Sequence, residues 1–256
     1  MTRPGSLRHF VGNDLGKRKD YFALAIWEQR LHQDPAGPVE GTKAWYTEPR
    51  LYTARYHCRW LERVPLGTTY HDGVKRLLAH CNHPDVAGNV TVVPDANGVG
   101  EVVIEIMRKH NVPDIHPVTT FGRGEQTTMM RNGWYSVPKR DVAMNLVSLH
   151  EQDRMRVSRS IPHYDLWKKE LAAFRRTVSE KTGHDSYEAM REGDHDDLVM
   201  ASALALWYAV KFTQNTFRIR EGPQKADQRG PKGLVDYDPF SEEDALTASE
   251  RRKYRG

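Results

Sequence analysis

Apolar residues recur along this chain with two distinct periods, and the period predicts the element. His9-Phe10-Val11-Gly12-Asn13-Asp14 reads as a first strand, followed by a polar, glycine-bearing turn from Leu15 to Asp20. Tyr21 to Trp27 is apolar at successive positions, the pattern of a strand buried on both faces. Strand, turn and strand predict a hairpin. Residues 33–50 carry Pro35, Gly37, Pro38, Gly41 and Pro49 and read as a loop. In a third strand, Tyr52, Ala54, Tyr56, Cys58 and Trp60 are expected on one face, with Thr53, Arg55, His57 and Arg59 on a solvated one.

Helical spacing takes over at Val74, Leu77, Leu78 and Cys81, predicting a helix from about Asp72 to Cys81 with Cys81 in the core. Val90 to Val93 is a short apolar strand that delivers Asp95. Gly98-Val99-Gly100 then turns the chain into a helix with Val103, Ile106, Met107 and His110 on one face. That strand–helix unit predicts a parallel pairing. The glycines either cradle a phosphate or only permit the turn. His116 to Thr120 gives one more strand. Asn132-Gly133 marks a hairpin around Arg131 to Trp134. Pro138-Lys139-Arg140-Asp141 opens a helix lined by Val142, Leu146 and Leu149, and Trp167, Leu171 and Phe174 mark another. The last helix follows Asp196-Asp197 and is apolar all round. The order predicts an α/β domain, a mixed β-sheet flanked by helices, over residues 1–217, with a flexible polar tail over 218–256.

Composition narrows the function classes. With 38 % hydrophobic residues the chain supports a core, and its formal net charge of +4 permits nucleic-acid binding without requiring it. The two cysteines argue against a secreted disulfide scaffold and for a reducing compartment. No signal peptide is evident. The longest apolar run, Leu198 to Val210, is too short to span a bilayer, so no membrane role is expected.

The candidate chemistry lies in the acids. Asp14 and Asp95 each end a predicted strand, and strand ends converge on one edge of a sheet. Asp196 and Asp197 begin a buried helix, which holds them near the body of the protein. Carboxylates brought together raise one another's pKa unless a cation intervenes. Mg²⁺ or Mn²⁺ suits such hard oxygen donors, and a pair of ions promotes in-line phosphoryl displacement. Singly, each acid has a plainer reading. Asp14 suits a turn, Asp95 an Asx-turn before Asn97-Gly98, and Asp194 or Asp196 a helix N-cap. Their joint placement favours a metal site.

The motifs resemble a known family. Val11-Gly12-Asn13-Asp14-Leu15-Gly16 with Asp20-Tyr21-Phe22-Ala23-Leu24 is similar to the first hairpin of the nuclease domain of bacteriophage terminase large subunits. Val93-Pro94-Asp95-Ala96-Asn97-Gly98-Val99-Gly100 resembles its second acidic motif. Trp134 to Asp141 resembles the segment entering its next helix, and Gly193-Asp194-His195-Asp196-Asp197-Leu198-Val199-Met200-Ala201 its third acidic motif. The resemblance runs from about Val11 to Phe212. Asn13 stands where the family has an apolar residue, and Pro94 precedes the second acid.

The resemblance implies an RNase H-like fold and a two-metal (Mg²⁺ or Mn²⁺) endonuclease that cuts concatemeric double-stranded viral DNA during genome packaging in the host cell cytoplasm. It implies Asp14, Asp95 and Asp197 as metal ligands, with Asp196 an additional or alternative one. Asp20 and His195 are further candidates, His195 as a neighbour of the ligands or a structural residue. Lys139 and Arg140 would contact the DNA backbone or form a solvated helix start, and Arg131 lies in a hairpin that would touch DNA. The sequence carries no Gly-x-x-x-x-Gly-Lys-Ser/Thr phosphate loop, so the expected partners are a separate terminase ATPase, the small terminase subunit and the portal. The opening Met and polar tail favour a separate gene product. The alternatives are another RNase H-like nuclease, such as a Holliday-junction resolvase, or a non-catalytic DNA-binding packaging protein.

Overall fold

The first hairpin forms where the pattern places it. The structure, a computed structural model, describes residues 8–16, 21–33, 50–98, 100–121, 126–181, 196–213 and 216–219. Strand β1 (Arg8–Leu15) pairs antiparallel with β2 (Phe22–Gln33), which pairs antiparallel with β3 (Arg50–Val64). β4 (Val90–Pro94) lies parallel to β1, and β8 (Met155–Val157) parallel to β3. The main sheet is therefore mixed, in the order β4-β1-β2-β3-β8, and β9 (Thr216–Ile219) also pairs with β3. β9 carries ordered pairing through Ile219, past the expected start of the tail at 218. Residues 220–256 lie outside the described ones.

Apolar residues on both faces of the sheet require cover on both sides. On one face Val11, Leu24 and Ile26 pack with α1 (Tyr70–Cys81) and α2 (Gly100–Lys109), including Val74, Leu77, Cys81, Val103 and Met107. On the other, Phe10, Ala23, Ala25 and Trp27 pack with α3 (Lys139–Glu151), α4 (Tyr164–Lys181) and α5 (Asp197–Phe212). His110 falls one residue past the end of α2. Gly98, at φ 68, makes the turn before that helix. A small second sheet joins β5 (Val118–Phe121), β7 (Tyr135–Pro138) and β6 (Thr128–Met129). The expected Asn-Gly turn lies beside it, with Gly133 at φ 81. Among the described residues no helix is long and apolar enough to cross a membrane.

Two face assignments fail: His57, expected on the solvated face, is 3 % exposed, and Trp60 leaves the core face. Ala54, Tyr56 and Cys58 join the core under α5, but Trp60 packs on the opposite side of the sheet. Ile26 pairs with Trp60 and Trp27 with Cys58, so a bulge at Arg59 inserts one residue and inverts the alternation beyond it.

The closest approach between layers sets the position of α5. A Cβ added at Gly12 would overlap the carbonyl oxygen of Ala201 and crowd the Ala205 methyl. Only glycine lets the helix backbone rest on the strand. Gly12→Ala is expected to destabilise the protein by about 1–3 kcal/mol or more, because the backbone of α5 must move. An unchanged urea midpoint would contradict this packing.

Candidate metal centre at the sheet edge

Three acids reach one edge by three separate routes. Gly12 of β1 pairs with Val93 of β4, and Asn13 with Pro94. The next position on each strand is Asp14 and Asp95, and the Asp95 N–H donates to the Asn13 carbonyl at 2.8 Å. Side chains alternate along a strand, so Asp14 shares a face with Gly12, and Asp95 with Val93. That is the face covered by α5. Phe10 meets Tyr208 near the end of the helix, and Gly12 meets Ala201 and Ala205. Helix and strand thus run in opposite senses. One helical turn before Ala201 is Asp197, and two strand residues after Gly12 is Asp14. A turn rises about 5.4 Å and two strand residues about 6.8 Å, so both steps lead to the same end of the sheet.

Both departures from the family pattern fall at buried positions. Asn13 is fully buried on the other face, and its Nδ2 donates to the Ala23 carbonyl at 2.8 Å. Pro94 lacks an N–H and falls on the phase that faces away from β1, between Val92 and Ala96, whose N–H groups donate to Asp114 and Val118. The Asp95 N–H points to β1, whereas Val92 on the alternate phase donates away from it, to Asp114.

Of the plainer readings, the Asx-turn at Asp95 holds, whereas Asp14 lies within β1 and Asp196 forms no side-chain cap. Asp95 Oδ1 accepts the Asn97 N–H at 2.9 Å, the expected Asx-turn. Burial raises its pKa, against the pull of the Asn97 hydrogen bonds and the Lys139 charge. Asp196 occupies the N-cap position of α5, but its side chain makes no capping bond. Asp197 is the buried member of the pair, at 5 % exposure. Lys139 starts α3 exposed, with its charge acting on Asp95, and Arg140 and Arg131 are also exposed. Asp20 and His195 lie outside the described residues.

Arg63 and Glu170 carry no motif, yet they hold Asp197. Arg63 pairs with Ala23, which pairs with Asp14, so it lies on the acid-bearing face. Its Nη2 donates to Glu170 Oε1 at 2.8 Å and stands 2.9 Å from Asp197 Oδ2. The second contact is at ion-pair distance without hydrogen-bond alignment. The guanidinium also lies 4.3 Å from the centre of the Tyr21 ring. Glu170 Oε2 accepts the N–H groups of Leu198 at 3.0 Å and Val199 at 3.1 Å. Burial pushes the Glu170 carboxyl up to about 7, against Arg63 and those two N–H groups. A sequence signal existed: Glu170 interrupts the apolar stripe of Trp167, Leu171 and Phe174 at helical spacing. Arg63 stood out in no pattern.

The donor set suits a hard divalent cation, because all three acids offer oxygen. Among the described residues no three His, Cys, Asp or Glu side chains stand close enough to hold one ion in common. Asp197 is instead engaged by Arg63.

No family model and no curated protein matches the sequence. Among solved structures, the chain is similar to the large terminase nuclease of the thermophilic phage G20c, at 22 % identity and a TM-score of 0.44, over 81 % of this chain and 83 % of that one. It is also similar to the g2p (large terminase) nuclease domain of bacteriophage SPP1, solved with bound Mn. There the identity is 12 % and the TM-score 0.39, over 77 % of this chain and 84 % of that one.

Arg63 is the cation shared by two carboxylates, and the three side chains are 11 %, 3 % and 7 % exposed. Arg63→Ala should cost about 3–5 kcal/mol in metal-free buffer, the penalty for stripping a buried ion pair of one partner. Urea denaturation in chelator measures it, and a wild-type midpoint would show that Glu170 and Asp197 do not depend on Arg63.

Proposed function

We propose that the chain is a metal-dependent DNA endonuclease of the terminase large-subunit, RNase H-like type, with Asp14, Asp95 and Asp197 as its metal ligands. The observation that carries this reading is the common edge. Asp14 near the end of β1 and Asp95 just after β4 follow the paired Asn13 and Pro94, and the seat of α5 on Gly12 brings a third acid to the same end of the sheet. The motif order of the sequence supports it independently.

In this account Asp14 and Asp95 present their carboxylates from rigid strand ends, and Asp197 presents its own from the first turn of a buried helix. Asp196 either joins them or remains the backbone N-cap. Bound Mg²⁺ or Mn²⁺ would supply charge to the scissile phosphate and acidify the attacking water. Lys139, exposed beside Asp95, orients the phosphate backbone, and Arg140 and Arg131 extend the contact along the duplex. Asp20 and His195 remain candidates to assist. The substrate is double-stranded DNA, and in packaging the work would be shared with a translocating ATPase, a small terminase subunit and a portal in the infected cell.

Plasmid cleavage with Mn²⁺ or Mg²⁺ tests the reading. Wild type should nick and linearise the plasmid, whereas Asp95→Ala and Asp197→Ala should lose orders of magnitude in rate. Variants that cut as well as wild type would refute the ligand assignment. A strong preference for four-way junctions over linear duplex would favour a resolvase instead.

A further inference from the structure

The first N–H groups of any helix need partners, and the residue at its N-cap usually supplies one. In α5 the cap residue Asp196 does not. The bonds come from another helix: one oxygen of Glu170 in α4 receives Leu198 and Val199, the two residues directly after Asp197. Its other oxygen receives Arg63, the same nitrogen that contacts Asp197. A second tie, from Trp167 Nε1 to Ser202 Oγ at 3.0 Å, joins the same two helices one turn further on. That tie does not involve Glu170. Glu170 itself is 5 % exposed, so these contacts are made in a largely dry setting.

We propose that Glu170 is a positioning residue for the metal centre, fixing the Asp197 carboxylate through both the backbone of α5 and Arg63. The inference rests on Asp197 being a metal ligand. Burying a carboxylate on the apolar stripe of α4 is costly unless it is fully bonded, and every bond it makes leads to Asp197 or its neighbours. Glu170 touches neither substrate nor the expected ions. Its effect reaches them through the angle and freedom of one ligand, as partners of metal ligands generally do.

The test is Mn²⁺ affinity of the whole chain, by calorimetric titration without DNA and well below the melting temperature. Glu170→Ala should weaken Mn²⁺ binding about 10- to 100-fold, while metal-free DNA affinity stays at the wild-type value. Glu170→Gln retains an oxygen for the two backbone N–H groups but loses the ion pair to Arg63, so its loss should be smaller yet clear. A merely structural role would lower the melting temperature of both variants and leave Mn²⁺ affinity unchanged, which overturns the proposal. Should the alanine variant fail to fold, wild-type affinity in the glutamine variant overturns it equally. Asp197→Ala is the reference. If it weakens Mn²⁺ binding and the Glu170 variants do not, the positioning role falls and the metal centre stands. If Asp197→Ala also binds like wild type, the metal assignment has failed with it.

Discussion

Gly12 has no side chain, and the backbone of α5 occupies the space a side chain would fill. That single contact between a strand and a helix governs the molecule. It draws the most apolar of the described helices onto the sheet. From Leu198 to Ala209 only Met200 is not buried. It also fixes the position of the helix relative to β1. A fixed contact at Gly12 and Ala201 determines that the start of α5 lies at the Asp14 end of β1. A register set elsewhere would bring a different side chain to the edge.

The cost of this arrangement is that an apolar helix must begin with polar groups inside the protein. Its start carries unsatisfied N–H groups, an acid that is nearly buried and no side-chain cap of its own. Glu170 and Arg63 resolve the conflict together. The carboxylate takes the N–H groups, and the guanidinium balances the two acids while stacking on Tyr21. In the absence of a divalent cation, Arg63 stands as the local positive charge for Asp197. Asp95 meets the same problem differently, through an Asx-turn and the nearby Lys139 charge. The carboxyl groups of Asp95 and Asp197 are thus both engaged by the protein's own groups.

Much of this was legible in the sequence because it follows local periodicity. The hairpin, the parallel strand β4, the glycine turn into α2 and the buried α5 each announce themselves in apolar spacing and turn residues. The positions of Asp14, Asp95 and Asp197 at or beside element ends follow from the same spacing. What stayed hidden depends on contacts between distant segments. The bulge at Arg59 is set by pairing with β2, not by the residues around it, so Trp60 was assigned to the wrong face. Strands β8 and β9 are short edge pieces whose identity comes from their partner β3. Arg63 and Glu170 lie 107 residues apart, and neither has a neighbour in sequence that reveals the other.

Under the proposed function, the sheet end shared by β1, β4 and α5 is a metal centre. Anomalous diffraction from crystals grown or soaked with Mn²⁺, recorded near the manganese absorption edge, tests it most directly. An anomalous peak bounded by the carboxylates of Asp14, Asp95 and Asp197 is expected. A map with no peak there, or with manganese bound only elsewhere on the protein, would contradict it.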